Sequence, residues 1–192
     1  SGYTELYNPK REPGLITEAA CWSHGRRKFY VLADIAAKAR DSKVTISPVA
    51  FEAVKQIDAI FDIEREINGL APNVRHAVRQ ERVKPLVEDL HAWMKQERAQ
   101  VSAKSHIGKA LNYMLKRWDA FARFLDDGRI CLSNNAAERG LRAVALGRKS
   151  WLFAGSDRGG ERAALVYSLL YTAKLNDVDP LAWLTDVLAR IA

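Results

Sequence analysis

Cysteine is scarce in this sequence: Cys21 and Cys131 are the only two among 192 residues. Because they lie far apart in the chain, the sequence predicts neither a disulfide framework nor a cysteine-rich zinc site. Apolar runs of the roughly 18 residues that span a bilayer are also missing, and the N-terminus lacks the charged-then-apolar pattern of a signal peptide. We therefore expect a soluble cytoplasmic protein that does not bind a membrane.

Negative charge is in deficit, because 23 Asp and Glu residues face 30 Lys and Arg residues, for a net charge of +7. This excess favours an anionic partner, although many ordinary basic proteins have a similar charge. Apolar residues make up 48% of the chain, which suffices for the core of one domain, or of one domain and a small appendage. Residue 1 is serine instead of methionine, which indicates a fragment, a processed product or an expressed segment.

Helical periodicity dominates, and residues 25–125 are predicted to be almost wholly helical. Ser47 and Pro48 have the pattern of an N-cap and a first helical residue, and Pro85 is expected to start, bend or split a later helix. The predicted helices cover residues 24 to about 37, 48–68, 74–100, 107–125, 135–146, 161–175 and 180–191. The predicted short strands cover residues 15–22, 129–132 and 150–155.

Two isolated histidines, His91 and His106, have no partner at metal-ligand spacing, so we interpret them as surface or core residues. Four larger side chains lie at core spacing: Trp93, Met94, Met114 and Trp118. The last helix is expected to turn a set of apolar residues inward: Leu181, Leu184, Val187, Leu188 and Ile191.

A single carboxylate among polar and cationic side chains marks residues 133–155 as a candidate site. A helix here would carry two stripes, one of Asn135, Glu138, Arg139 and Arg142 and one of Ala137, Leu141 and Val144. Such a helix could bury its apolar side and hold Glu138 toward solvent, metal or DNA. Asn135 and Glu138 also have the spacing of a capping-box variant, so spacing alone leaves a catalytic role and a helix cap open.

Two basic clusters lie in the predicted helical region. Arg26, Arg27 and Lys28 stand near a helix start, where they oppose the helix dipole unless an anion such as DNA phosphate offsets them. A solvated basic turn is the alternative. The second cluster could contact DNA, but we interpret it as a cationic helix face in water. It contains Arg75, His76, Arg79, Arg82 and Lys84.

A third basic cluster, Arg148 and Lys149 beside Trp151, combines charge that attracts phosphate with an aromatic face. This combination is consistent with DNA binding. It is equally consistent with a basic turn whose aromatic ring packs in the core. The glycine-rich loop at residues 156–160 follows, but it lacks the spacing of a nucleotide-binding loop. We therefore expect no nucleotide cofactor.

Four stretches together resemble one protein family. They are CWSHGRRKFY at residues 21–30, NNAAERGLR at 134–142, GRKSWLFAGSDRGGERAA at 147–164 and YSLLYTAKLNDVDPLAWLTDVL at 167–188. In this order they resemble the C-terminal half of the insertion-sequence 66 type of bacterial transposases. The resemblance extends over essentially all 192 residues.

The resemblance implies a fold that is mostly α with a few short strands, an incomplete ribonuclease-H-like α/β core with a large helical insertion at about residues 40–126. Residues 1–142 would be the C-terminal part of a transposase catalytic domain, and residues 143–192 the family's C-terminal element. It also implies DNA transposition, in which two Asp and one Glu hold Mg²⁺ or Mn²⁺ for phosphodiester cleavage and strand transfer.

Glu138 matches the glutamate of that triad, as catalytic residue and metal ligand. The other site residues implied contact DNA: His24, Arg26, Arg27, Lys28, Asn134, Asn135, Arg139, Arg142, Arg148, Lys149 and Trp151. The partners implied are the DNA of the element ends and target, further copies of the transposase and helper proteins of the same element. Such a protein would associate with the nucleoid when bound to DNA.

The sequence departs from the family pattern at the two aspartates. Relatives carry the second one in a segment that resembles Asp-Gly-Tyr, whereas this chain begins Ser1-Gly2-Tyr3, and the first one has no counterpart. Three functions therefore stay open: a transposase region that is active only in its complete form, an inactive DNA-binding or assembly remnant of a mobile element, and a helical interaction domain.

Overall fold

Helices make up most of this chain in a computed structural model, which describes residues 7–8, 10–12, 14–33, 47–147 and 154–191. The chain divides into two compact units, Ser1–Ser133 and Asn134–Ala192. The prediction of a mostly α-helical protein is confirmed. Within the described ranges, no helix has both the length and the apolar character that crossing a bilayer requires.

The described residues of the first unit form six α-helices. They are α1 (Trp22–Ala33), α2 (Pro48–Glu66), α3 (Pro72–Val78), α4 (Lys84–Gln100), α5 (His106–Leu115) and α6 (Trp118–Ala122). The predicted cap of α2 is confirmed, because the Ser47 hydroxyl accepts a hydrogen bond from the amide of Ala50 at 3.3 Å and Pro48 is the first helical residue. A 3₁₀ turn, Arg123–Leu125, follows α6.

Pro85 splits the helix that was predicted over residues 74–100. It stands second in α4, which a π-helical turn, Arg79–Val83, joins to α3. Proline cannot donate to the carbonyl four residues earlier, here that of Glu81, and its ring crowds that oxygen. The wider π turn therefore lies directly before it. The helix predicted over residues 107–125 is also divided, because the backbone leaves helical geometry at Arg117 (φ −126°, ψ 24°).

The core of the first unit forms where α1, α2, α4 and α5 pack together. Trp22 lies fully buried in it, with its ring edge-on to those of Trp118, Phe121 and Phe124 at centroid distances of 5.6–6.1 Å. The Trp22 indole donates a hydrogen bond to the backbone oxygen of Phe121 at 2.8 Å. Met94 and Met114 are fully buried as predicted, and Trp93 and Trp118 pack against the same core.

A buried ion pair replaces one part of the predicted solvated basic cluster. Arg79 is fully buried and donates to both carboxylate oxygens of Glu64, each at 2.7 Å. It also donates to the backbone oxygens of Phe124 and Asp127, at 2.7 and 3.1 Å. The interpretation as a face in water is therefore wrong for Arg79. A guanidinium can enter the core because its N–H groups find acceptors there.

Two of the predicted strands are irregular in the structure. In the segment at residues 15–22, the amide of Ala20 donates to Ala120 and that of Trp22 donates to Leu132, at 2.8 and 3.0 Å. These two partners lie far apart in sequence, so they provide no continuous strand with which a ladder could form. In the segment at residues 129–132, the first two residues belong to a turn closed by the amide of Ile130, which donates to the oxygen of Asp127. The third predicted strand falls mostly outside the described residues.

The second unit contains α7 (Asn135–Gly147), α8 (Asp157–Leu175) and α9 (Pro180–Ile191). The predicted helix starts at Asn135 and Pro180 are confirmed. The prediction that α9 turns its apolar side inward is wrong for Leu181, Leu188 and Ile191, which are 60–74% exposed. Three helices in this short unit leave too little surface to cover every apolar stripe.

His91 should contribute to the pH dependence of the free energy of unfolding. Its ring stacks on that of Trp118, at 4.2 Å between centroids and 5° between planes. Burial lowers the pKa of His91 below its ordinary value of 6.5, and the charge of Lys95 lowers it further. The unfolded chain then binds this proton more readily than the folded chain. The stability that the neutral form of His91 contributes is therefore complete above pH 6.5 and declines as the pH falls below that value.

We expect the urea midpoint of the wild type to fall between about pH 7.5 and about pH 5.5, and that of His91→Gln to fall less. His106→Gln makes the same substitution at an exposed histidine and is the matched control. Equal pH dependence in wild type and His91→Gln would contradict this assignment.

Candidate functional site

Glu138 lies in the first turn of α7, on the exposed side of that helix. Its amide donates to the backbone oxygen of Asn134 at 3.0 Å, which fixes the start of the helix. Asn135, Arg139 and Arg142 share its stripe and are also exposed. The predicted grouping of one carboxylate with an amide and two guanidinium groups therefore exists on one helix face.

The opposite side of α7 faces α8 across a groove of about 570 Å³. The groove is lined mainly by small and aromatic side chains, among them Ala137, Ala164, Tyr167 and Tyr171. A Cβ at Gly140 would stand 3.2 Å from the ring of Tyr171, so glycine permits the two helices to approach. The expected burial of the apolar stripe is incomplete, because Leu141 remains 64% exposed.

A bound metal ion requires several donor side chains at one place. Among the described residues, no group of three or more His, Cys, Asp or Glu side chains could hold a metal ion. A two-metal site needs several carboxylates close together. Glu138 could supply one of them, so the described residues do not by themselves fit the Mg²⁺ or Mn²⁺ site that the family resemblance implies.

The first basic cluster is divided by the fold. Arg26 turns toward α2, where it donates to both carboxylate oxygens of Asp58 at 2.5 and 2.8 Å, and this contact raises the pKa of Arg26. Arg27 and Lys28 are exposed, and His24 is half-buried. The structure thus gives Arg26 a role in joining two helices, whereas Arg27 and Lys28 remain exposed.

Sequence reasoning missed three residues that the fold brings to this cluster. His106, Lys109 and Tyr113 of α5 line a groove of about 400 Å³ together with residues of α1. The Lys28 ammonium lies 4.3 Å from the centroid of the Tyr113 ring. The two helices are separated by 72 residues, from 34 to 105, so no local pattern could have joined them.

The remaining predicted site residues are only partly described. Asn134 is exposed and directly precedes α7. Arg148, Lys149 and Trp151 lie outside the described residues, so their predicted part in DNA binding stays a prediction.

Comparison with protein families gives two matches along the chain. Residues 1–162 match the family described as Transposase IS66 family, and residues 168–192 match the IS66 C-terminal element. The first match contains α1–α7 and therefore Glu138. No solved structure matches the chain significantly.

Three uncharacterized proteins of Sinorhizobium fredii (strain NBRC 101917 / NGR234) are similar to this chain. The protein y4hP is 58% identical over 92% of the chain and 33% of its own length. The proteins y4jD and y4qI are 40% and 38% identical, over 99% and 100% of the chain and 36% and 34% of their own lengths. The chain thus spans about a third of the length of the curated relatives it matches. With a family match over most of its residues, this chain belongs to the IS66 family of transposases.

Proposed function

We propose that this chain is part of a DNA transposase that cuts and joins phosphodiester bonds of an insertion sequence, and that Glu138 is the glutamate of its acidic triad. One observation carries this proposal. The IS66 transposase match covers residues 1–162, and within it Glu138 stands exposed near the start of α7. An exposed carboxylate on a helix can bind a metal ion together with carboxylates from another part of the protein.

The proposed role of Glu138 is that of one metal ligand. Mg²⁺ and Mn²⁺ prefer carboxylate oxygens, and the other ligands would come from carboxylates outside the described residues. In this proposal α7 belongs to a ribonuclease-H-like core. Residues 1–142 are the C-terminal part of the catalytic domain and residues 143–192 the C-terminal element.

The neighbours of Glu138 support binding of the substrate. Arg139 and Arg142 are exposed cations on its stripe, and guanidinium groups suit phosphate because they donate two parallel hydrogen bonds. We propose that they hold the DNA backbone beside the carboxylate. Asn134, Asn135, Arg148, Lys149 and Trp151 would extend this surface. The substrates would be the element ends and the target on nucleoid DNA, with other transposase copies and helper proteins as partners.

Glu138→Gln in the full-length protein tests the proposed chemistry. Glutamine keeps the size of the side chain but removes the charge, so Mg²⁺-dependent nicking of labelled element-end DNA is expected to fall about 100-fold or more. DNA affinity should not fall, because the lost carboxylate is an anion and does not attract phosphate. Glu161→Gln is the matched control, since it makes the same change at an exposed position of α8.

Unchanged nicking by Glu138→Gln would refute the assignment of Glu138. Salt-sensitive DNA binding without nicking by any version would instead support the alternative function, a DNA-binding or assembly remnant of a mobile element.

A further inference from the structure

A groove between α1 and α5 combines positive charge with an aromatic ring. Six of its lining residues define the cationic groove: His24, Arg27, Lys28, His106, Lys109 and Tyr113. Both helices belong to the first unit, and both contribute to the same core, α1 through Phe29 and α5 through Leu111 and Met114. The walls of the groove are therefore fixed by packing.

The described residues do not neutralise the lysine and arginine side chains of this groove. None of the ion pairs formed among the described residues includes Arg27, Lys28 or Lys109. The adjacent Arg26 pairs with Asp58, and Arg117 pairs with Glu18. No carboxylate is among the described lining residues of the groove. Three like charges are thus held near one another, which is unfavourable unless an anion joins them.

Tyr113 holds part of this charge in place. Its ring lies 4.3 Å from the Lys28 ammonium and packs edge-on against Phe121 at 6.0 Å. Burial raises the pKa of the Tyr113 phenol, so it is neutral at physiological pH and adds no negative charge. A cation over an aromatic face loses less side-chain entropy when a ligand binds, because its position is already restricted.

We propose that the cationic groove binds the phosphodiester backbone of DNA without regard to sequence. This inference rests on the proposed transposase function and names a DNA contact made by residues other than those of the Glu138 stripe. The charged groups of the groove are hydrogen-bond donors only, and a phosphodiester offers acceptors only. A polypeptide also brings amide donors, for which Arg27, Lys28 and Lys109 provide no acceptor. The composition of the groove therefore favours nucleic acid over an acidic protein segment.

The test compares two triple variants of the 192-residue chain that remove the same positive charge. The groove variant is Arg27→Gln/Lys28→Gln/Lys109→Gln. The control variant, Lys84→Gln/Lys95→Gln/Lys104→Gln, changes three exposed lysines that do not line the groove. Binding of a labelled duplex is measured over a range of salt concentrations, with circular dichroism to verify folding.

The groove variant is expected to reduce the slope of log affinity against log salt by about 2–3, because each lost phosphate contact removes about 0.9. The control variant should keep a slope close to that of the wild type. Equal losses in both variants would overturn the groove assignment and leave the proposed function standing. A wild type without salt-sensitive binding would refute both. Polyglutamate that competes as well as DNA of equal charge would indicate an acidic polypeptide as the ligand instead.

Discussion

Replacing Arg79 with methionine is expected to lower the free energy of unfolding by about 3–5 kcal/mol. The guanidinium is fully buried and satisfies Glu64 together with the backbone oxygens of Phe124 and Asp127. Methionine fills similar space but donates no hydrogen bond. The carboxylate of Glu64, whose side chain is 8% exposed, then remains buried with Arg75 as a cation 3.7 Å away. Urea unfolding followed by circular dichroism measures the loss.

Two further variants separate this buried pair from ordinary charge effects. Arg82 and Glu66 join the same parts of the chain through an ion pair that is 45% and 56% exposed, so Arg82→Met should leave the urea midpoint almost unchanged. Arg79→Met combined with Glu64→Leu removes both buried charges and should recover much of the lost stability. A small effect of Arg79→Met alone, or a double variant no more stable than the single one, would contradict the assigned role.

Trp22→Ala is expected to cost about 3–5 kcal/mol, the usual range for a large aromatic residue truncated in a core. Trp22 is fully buried against Phe121, Phe124 and Trp118, so the cavity cannot be filled by solvent or by a small movement of one neighbour. The same urea titration gives the value.

Two controls test the reason for that loss. Trp22→Phe keeps an aromatic ring but leaves the Phe121 oxygen without the indole N–H, and should cost about 1–3 kcal/mol. Trp183→Ala, at a half-buried position of α9, should cost much less than Trp22→Ala. Similar losses at Trp22 and Trp183 would show that the core around Trp22 is not the main source of stability.

The site around Glu138 could be predicted in its local part only. Asn135, Glu138, Arg139 and Arg142 share a stripe because the helix repeat is a local property of the backbone, and the structure confirms that helix. The second basic wall of the cationic groove was not predictable. Lys109 and Tyr113 reach Lys28 only because α1 and α5 pack on one core.

The sequence by itself determined where α2 and α9 begin, since Ser47, Pro48 and Pro180 act through bonds to residues within one turn. It also determined the family, through long stretches whose order can be read without a structure. Only the tertiary structure decided which charges are buried. Arg79 looked like part of a solvated face, and its carboxylate partner lies 15 residues away on another helix. Burial depends on which helices pack together, and that packing arises from contacts between distant parts of the chain.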